Sequence, residues 1–179
     1  GAKVIAAAGN DEKLERAKPD LILTQDQCEV CAVSLKDVER ALREHICDAK
    51  VISLKPMVFD DLFRDIQTIA DATNREIEAE GMIRDLKRRV LNVYQKTKNL
   101  KKPSIACIEW MKPLMAAGNW VPEMIEMAGG ISVWGEKGGH STVSTFPDLA
   151  ALNPDKIVIS PCGFKLEQTK ADLHYLTGE

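Results

Sequence analysis

LFRDIQTIADATNREIEAEGMIRDLKRRVLNVYQKTKNL, residues 62–100, is the stretch whose reading decides the fold. Leu62, Ile66 and Ile69 fall at helical spacing. Beyond Asn74, the residues Ala79, Ile83, Leu86, Val90 and Val93 recur in steps of four, three, four and three, with Glu, Lys and Arg on the remaining faces. Such a stripe is the signature of an amphipathic helix. Asn74 is the expected break, because asparagine tolerates the left-handed conformation that ends a helix. The pattern predicts a shorter helix to about Thr73 and a second from Arg75 to about Asn99. A helix of roughly 25 residues is about 37 Å long, enough to reach across two lobes. Its charges read as a solvated face.

The flanks of this rod read as α/β. On the N-terminal side the expected elements are a short helix over 12–17, a strand over 21–24, a helix over 34–45 and a strand over 51–54, with a polar loop from Gln25 to Val33. On the C-terminal side they are a strand over 105–108, a loop from Glu109 to Asn119 and a helix over 123–128 opened by Pro122 and closed by Gly129-Gly130. Then come a loose loop over 135–141, a helix over 146–152, a strand over 157–159, a turn over 161–164 and a final helix over 165–176. Pro suits a first helical turn and Gly a helix end.

Leu14-Glu-Arg-Ala-Lys-Pro-Asp-Leu-Ile22 matches Leu149-Ala-Ala-Leu-Asn-Pro-Asp-Lys-Ile157, each a helix end, a Pro-Asp and a buried strand. Repeated on either side of the long helix, this favours two similar lobes: a partial N-terminal lobe over 1–58, a helical linker over 59–100 and a C-terminal lobe over 101–179. Strands alternating with helices imply largely parallel sheets. Ligands gather at the carboxyl ends of such strands, so the four strand-end loops are expected to line one cleft.

Composition narrows the function classes. A net charge of −3 gives no basic footprint, which speaks against nucleic acid as a main partner. No apolar run is long enough to cross a bilayer. Gly1–Ala8 is too short and poorly flanked for a complete signal peptide, which leaves the compartment open. Five cysteines cannot all pair, so the chain is not a disulfide framework.

Few residues offer chemistry. Cys28-Glu-Val-Cys31 can be half a zinc site, a redox pair or a lining of a ligand site, with Cys162 as the third thiol in a metal or redox reading. Glu109-Trp-Met-Lys-Pro113 and Gly118-Asn-Trp120 bring two tryptophans near one strand end. They either pack between loop and helix or face a flat, partly apolar ligand, and Trp134 and Phe164 are positioned to add to such a wall. Gly135–Ser141 lacks the ending of a phosphate-binding loop.

Pro19-Asp-Leu-Ile-Leu-Thr-Gln-Asp-Gln-Cys-Glu-Val-Cys31, Cys107-Ile-Glu-Trp110, Gly118-Asn-Trp-Val-Pro-Glu-Met124 and Pro161-Cys-Gly-Phe164 together resemble the cobalamin-binding, BtuF-like branch of the ABC-transporter substrate-binding proteins. That is the helical-backbone class, which also holds iron-siderophore and haem binders. The resemblance covers nearly all of the chain. It implies two parallel-sheet α/β lobes joined by one long backbone helix, no catalytic site and no required cofactor. It implies cobalamin or a related metal chelate bound between the lobes, an ABC-transporter permease as partner and a periplasmic or extracytoplasmic setting. By this resemblance the ligand contacts are Gln25, Cys28 and Cys31 on the first lobe and Glu109, Trp110, Trp120, Cys162 and Phe164 on the second. Glu29 and Asp148 are the nearest candidates for the acids that meet permease arginines. Relative to the family, strands are missing before Val4 and a segment after Glu179. An incomplete first lobe is therefore expected, with an open sheet edge that pairs with another copy.

Overall fold

The computed structural model describes residues 19–26, 40 and 49–177. The expected helices over 12–17 and 34–45, most of the loop over 25–33, and with it Cys28, Glu29 and Cys31, lie outside the described residues; only Arg40, within a helix, belongs to them. The chain divides into two compact units, Gly1–Pro56 with Asp61–Ile83, and Met57–Asp60 with Arg84–Glu179.

In the first unit, β1 (Leu21–Gln25) and β2 (Lys50–Leu54) run parallel in register, Leu21 beside Lys50 and Gln25 beside Leu54. Each strand is apolar and short, and a proline stands two residues before one and two after the other, at Pro19 and Pro56. Leu21 and Ile52 are their buried side chains.

Helix α1 (Phe59–Thr73) ends where the sequence places the break: Asn74 has φ 54°, and α2 (Glu76–Thr97) begins two residues later. Thr73 adds a hydroxyl bond to the Ile69 carbonyl in the last turn of α1. Along α2 the predicted stripe is the inward face: Ala79 is buried, and Ile83, Leu86 and Val90 are half-buried. Val93 at its far end is 44% exposed, so burial fades toward the C-terminus of the helix.

The second unit is built on β3 (Ser104–Met111). One edge of β3 pairs in parallel with β7 (Lys156–Ile159). It also pairs in parallel with β5 (Ile131–Ser132) and antiparallel with β4 (Leu114–Ala116), which in turn pairs antiparallel with β6 (Thr142–Val143). Ala106, Ile108, Met111, Leu114 and Leu149 form the buried core, with Val133, Trp134, Ile159 and Leu176 packed against it. Trp134 is thus half-buried against this core. Between β4 and β5 lies α3 (Val121–Met127), with Pro122 in its first turn and Gly129 at φ 89° just beyond its end. Helix α4 (Phe146–Leu152) has the predicted bounds. It starts on a reciprocal capping box between Thr145 and Asp148 and stops at Asn153, which has φ 44°. The helix expected over 165–176 is instead two short ones, α5 (Leu166–Ala171) and α6 (His174–Thr177).

Two further expectations are corrected. The residues Glu109–Met111 are the end of β3, not a loop, and Lys112-Pro113, joined by a cis peptide, turns the chain into the β3–β4 hairpin. Between Ile108 and Trp110 the pairing slips by one residue, leaving Glu109 as the extra residue of a bulge. The loop over 135–141 is not loose: Asn119 N–H donates to the Gly139 carbonyl at 2.6 Å and Gly138 N–H to the Asn119 carbonyl at 2.9 Å. Such backbone-to-backbone packing needs glycine, since a Cβ on Gly118 would stand 2.6 Å from the Gly139 carbonyl oxygen.

Glu123, on α3, caps a helix that lies 64 residues earlier: its Oε2 accepts the Phe59 N–H, the first of α1, at 2.7 Å. Its Oε1 meets Lys137 Nζ at 2.6 Å. Burial alone would raise the Glu123 pKa, but the Lys137 and Phe59 hydrogen bonds and the Lys137 charge outweigh it, and the carboxyl sits below its ordinary value of 4.5. A depressed carboxyl contributes stability that is complete above that ordinary value and is lost as pH falls through the folded-state value. Glu123→Gln is therefore expected to cost about 1 kcal/mol at neutral pH. The gap between the urea midpoints of wild type and variant should close as pH is lowered below 4.5. A gap that is constant with pH would remove the ionic role of Glu123.

Candidate ligand-binding site

β3 and β7 lie side by side and parallel, so their carboxyl ends, Met111 and Ile159, open on the same side of the sheet. The chain leaving β3 and the chain leaving β7 frame a hollow of about 170 Å³. Trp110, Met111 and Lys112 supply one wall, Pro161 and Phe164 the next, and Asp172 and Tyr175 close it from the C-terminal helices. This is where an α/β sheet presents its ligand face.

Local sequence explains each placement. The bulge at Glu109 re-aims the end of β3. Trp110 then meets Phe164 edge-to-face, with ring centroids 4.9 Å apart and planes at 65°, a favoured aromatic geometry. The Trp110 Nε1–H donates to the Lys112 carbonyl at 3.0 Å, which fixes the indole against the turn. Lys112 lies with its Nζ 4.8 Å from the centre of the Tyr175 ring, a cation–π contact that holds the ammonium at the rim. Tyr175 in turn rests against His174, with centroids 4.0 Å apart. The turn that carries Phe164 passes through Gly163 at φ 74°, a conformation that suits glycine.

The structure brings together two of the residues singled out from sequence, Trp110 and Phe164. Others stand apart from the hollow. Glu109 turns to the opposite loops, where its Oε2 accepts the Ser141 hydroxyl and, at 3.4 Å, the Gly118 N–H. Trp120 is half-buried at the N-cap of α3. Cys162 is an exposed free thiol between Pro161 and Phe164. Gln25 ends β1, paired with Leu54. Asp148 is exposed, and its Oδ2 accepts bonds from the Thr145 hydroxyl and N–H and from the Ser144 hydroxyl. Those bonds, the Thr145 hydroxyl first, hold its pKa below the ordinary value. Cys107 is buried in β3, and burial followed by the nearby Glu109 charge pushes its thiol up to about 11, so it is protonated and inert at neutral pH.

Lys112, Asp172 and Tyr175 escaped the sequence reading. Lys112 lies within what reads as a loop over 109–119, and Asp172 and Tyr175 within what reads as one continuous helix. The aromatic at 175 beside a histidine, four residues from the chain end, was the one available signal.

The carboxyl ends of the parallel strands β3 and β7 thus carry an aromatic pair with one cation and one anion at its rim. The chain belongs to the periplasmic binding protein family, whose model matches residues 7–176. That family is made of solute-binding transport proteins, not enzymes, and its members bind ligands without a resident cofactor. Its fold is similar to that of an ABC transporter substrate-binding protein from Listeria monocytogenes (18% identity, TM-score 0.73), over 94% of this chain and 64% of that one. It is also similar to S. aureus IsdE complexed with heme (18% identity, TM-score 0.72, 95% of this chain and 65% of that one). A third similar structure is the periplasmic vitamin B12 binding protein BtuF of Vibrio cholerae (15% identity, TM-score 0.63, 93% and 65%). The chain thus spans slightly less than two-thirds of the length of these structures. A comparison with curated proteins found no match.

Proposed function

We propose that this chain is the solute-binding component of an ABC importer and takes up a metal chelate, cobalamin or another corrinoid first, with haem and iron-siderophores as the related alternatives. The observation that carries this is the edge-to-face Trp110–Phe164 pair at the β3 and β7 ends, which offers an aromatic face on which part of a flat, partly apolar ligand can stack. Structures of similar fold include a heme complex and a vitamin B12 binding protein. In this reading Trp110 and Phe164 are the main apolar contacts. Glu109, Trp120 and Cys162, with Gln25, Cys28 and Cys31 of the first lobe, are the further candidates. Glu29 and Asp148 are offered to the permease, and the setting is periplasmic or extracytoplasmic.

The test is a visible-band difference titration of the chain with cyanocobalamin, dicyanocobinamide and haemin. A shifted chromophore saturating at micromolar concentration or below is expected for at least one of the three, corresponding to about −8 kcal/mol or better. Flat titrations with all three would sink the proposal.

A further inference from the structure

The rim of the hollow carries one cation and one anion that do not satisfy each other. Lys112 and Asp172 both line it, yet no ion pair within 4 Å joins them among the described residues. Lys112 is held instead over the Tyr175 ring. The Asp172 backbone is fixed on both sides, its N–H donating to the Gln168 carbonyl at 3.1 Å and its carbonyl accepting the Tyr175 N–H at 3.0 Å. Both charges are therefore presented from anchored backbone at the edge of an aromatic surface.

From this juxtaposition we infer that Lys112 and Asp172 select chelates edged with neutral amides over chelates edged with carboxylates. This rests on the chelate-binding reading above. A primary carboxamide is at once a donor and an acceptor. Its carbonyl suits the Lys112 ammonium and its N–H₂ suits the Asp172 carboxylate, so one kind of group satisfies both rim charges. A carboxylate-edged ligand gains from Lys112 but sets like charge against Asp172. Discrimination of this kind needs such a repulsive element as well as an attractive one. A corrinoid, rimmed with amide side chains, is the favoured class, and a porphyrin dicarboxylate the disfavoured one.

The probes are dicyanocobinamide and haemin, titrated against the 179-residue chain by difference absorbance. Wild type is expected to favour the corrinoid by about tenfold or more. Asp172→Asn should tighten haemin by about tenfold while leaving cobinamide within a few-fold, which narrows the preference. Lys112→Gln should do the reverse, weakening haemin more than cobinamide and widening it. The effect of either neutralisation on haemin should shrink as salt is raised, because screening weakens the Lys112 attraction and the Asp172 repulsion alike. Asp172→Ser and Lys112→Met serve as second variants, and thermal melts check that each is folded. If the cobinamide-to-haemin ratio is unmoved by the two charge neutralisations, or moves the same way in both, the selectivity inference is overturned while chelate binding stands. If wild type binds neither probe, the chelate-binding reading itself fails, and the inference falls with it.

Discussion

Replacing Gly135 by alanine is expected to cost about 3 kcal/mol or more and to leave a chain that melts well below wild type, if it folds at all. Gly135 has φ 85°, and a Cβ there would stand 1.9 Å from the Ala117 carbonyl oxygen and 3.0 Å from its carbon. Both are backbone atoms of a segment pinned on the other side, since Ala117 N–H donates to the Cys107 carbonyl in the core strand at 2.9 Å. The clash therefore has no flexible side chain to displace. Gly138 makes the internal comparison: it too has positive φ, 70°, but its added Cβ would meet only the Val58 side chain, at 3.2 Å. Gly138→Ala should lose roughly 1–2 kcal/mol. Urea midpoints of the two variants separate the explanations. Equal losses would mean that backbone conformation alone, and not the Ala117 carbonyl, governs Gly135.

The second large effect is on chelate binding at the proposed site. Trp110→Ala removes the broad face of the hollow, its edge-to-face partner contact with Phe164 and the Nε1–H bond to the Lys112 carbonyl. Truncation of a central aromatic anchor of this kind costs about 2 kcal/mol or more, roughly thirtyfold in Kd. Trp110→Phe keeps the aromatic contact and loses the hydrogen bond, so it should fall between the two, within about fivefold of wild type. Dissociation constants for the tightest-binding chelate, taken beside thermal melts, test this. A Trp110→Ala variant that is folded and binds as well as wild type would place the ligand elsewhere.

What the sequence showed and what it hid follow from the range of the forces involved. The break at Asn74, the inward stripe of α2 and the whole of α4 were legible, because periodicity, a left-handed asparagine and a capping box are all local. β3 beyond Ile108 was not. Glu109, Lys112 and Pro113 carry loop chemistry, and only pairing with Leu114–Ala116, formed once the chain has turned at Lys112-Pro113, makes a hairpin of them. β5 and β6 have two residues each, too few to show any period. The interruption of the last helix at Asp172-Leu173 has no Gly or Pro to mark it. The same limits apply to the site. Strand-end position puts Trp110 and Phe164 on neighbouring connections, where their rings meet, whereas the contact of Lys112 with Tyr175 spans 63 positions of chain and exists only in three dimensions. Glu109, chosen beside Trp110, points away to Ser141 because a bulge changes the alternation that a regular strand would have kept.

The parallel pairing of β3 with β7 has a bearing on how such a protein changes its diet. The residues that hold the two strands together, Ala106 and Ile108 among them, are sealed in the interior, while the residues around the proposed solute site lie at the end of β3 and on the segments beyond β7. Foundation and tasting surface are thus written in separate letters, and a lineage can rewrite the second without disturbing the first. Met111 is the exception, since it belongs to the packed interior and to the hollow alike. Among the described residues it is the position where a change in the hollow is also a change in the core.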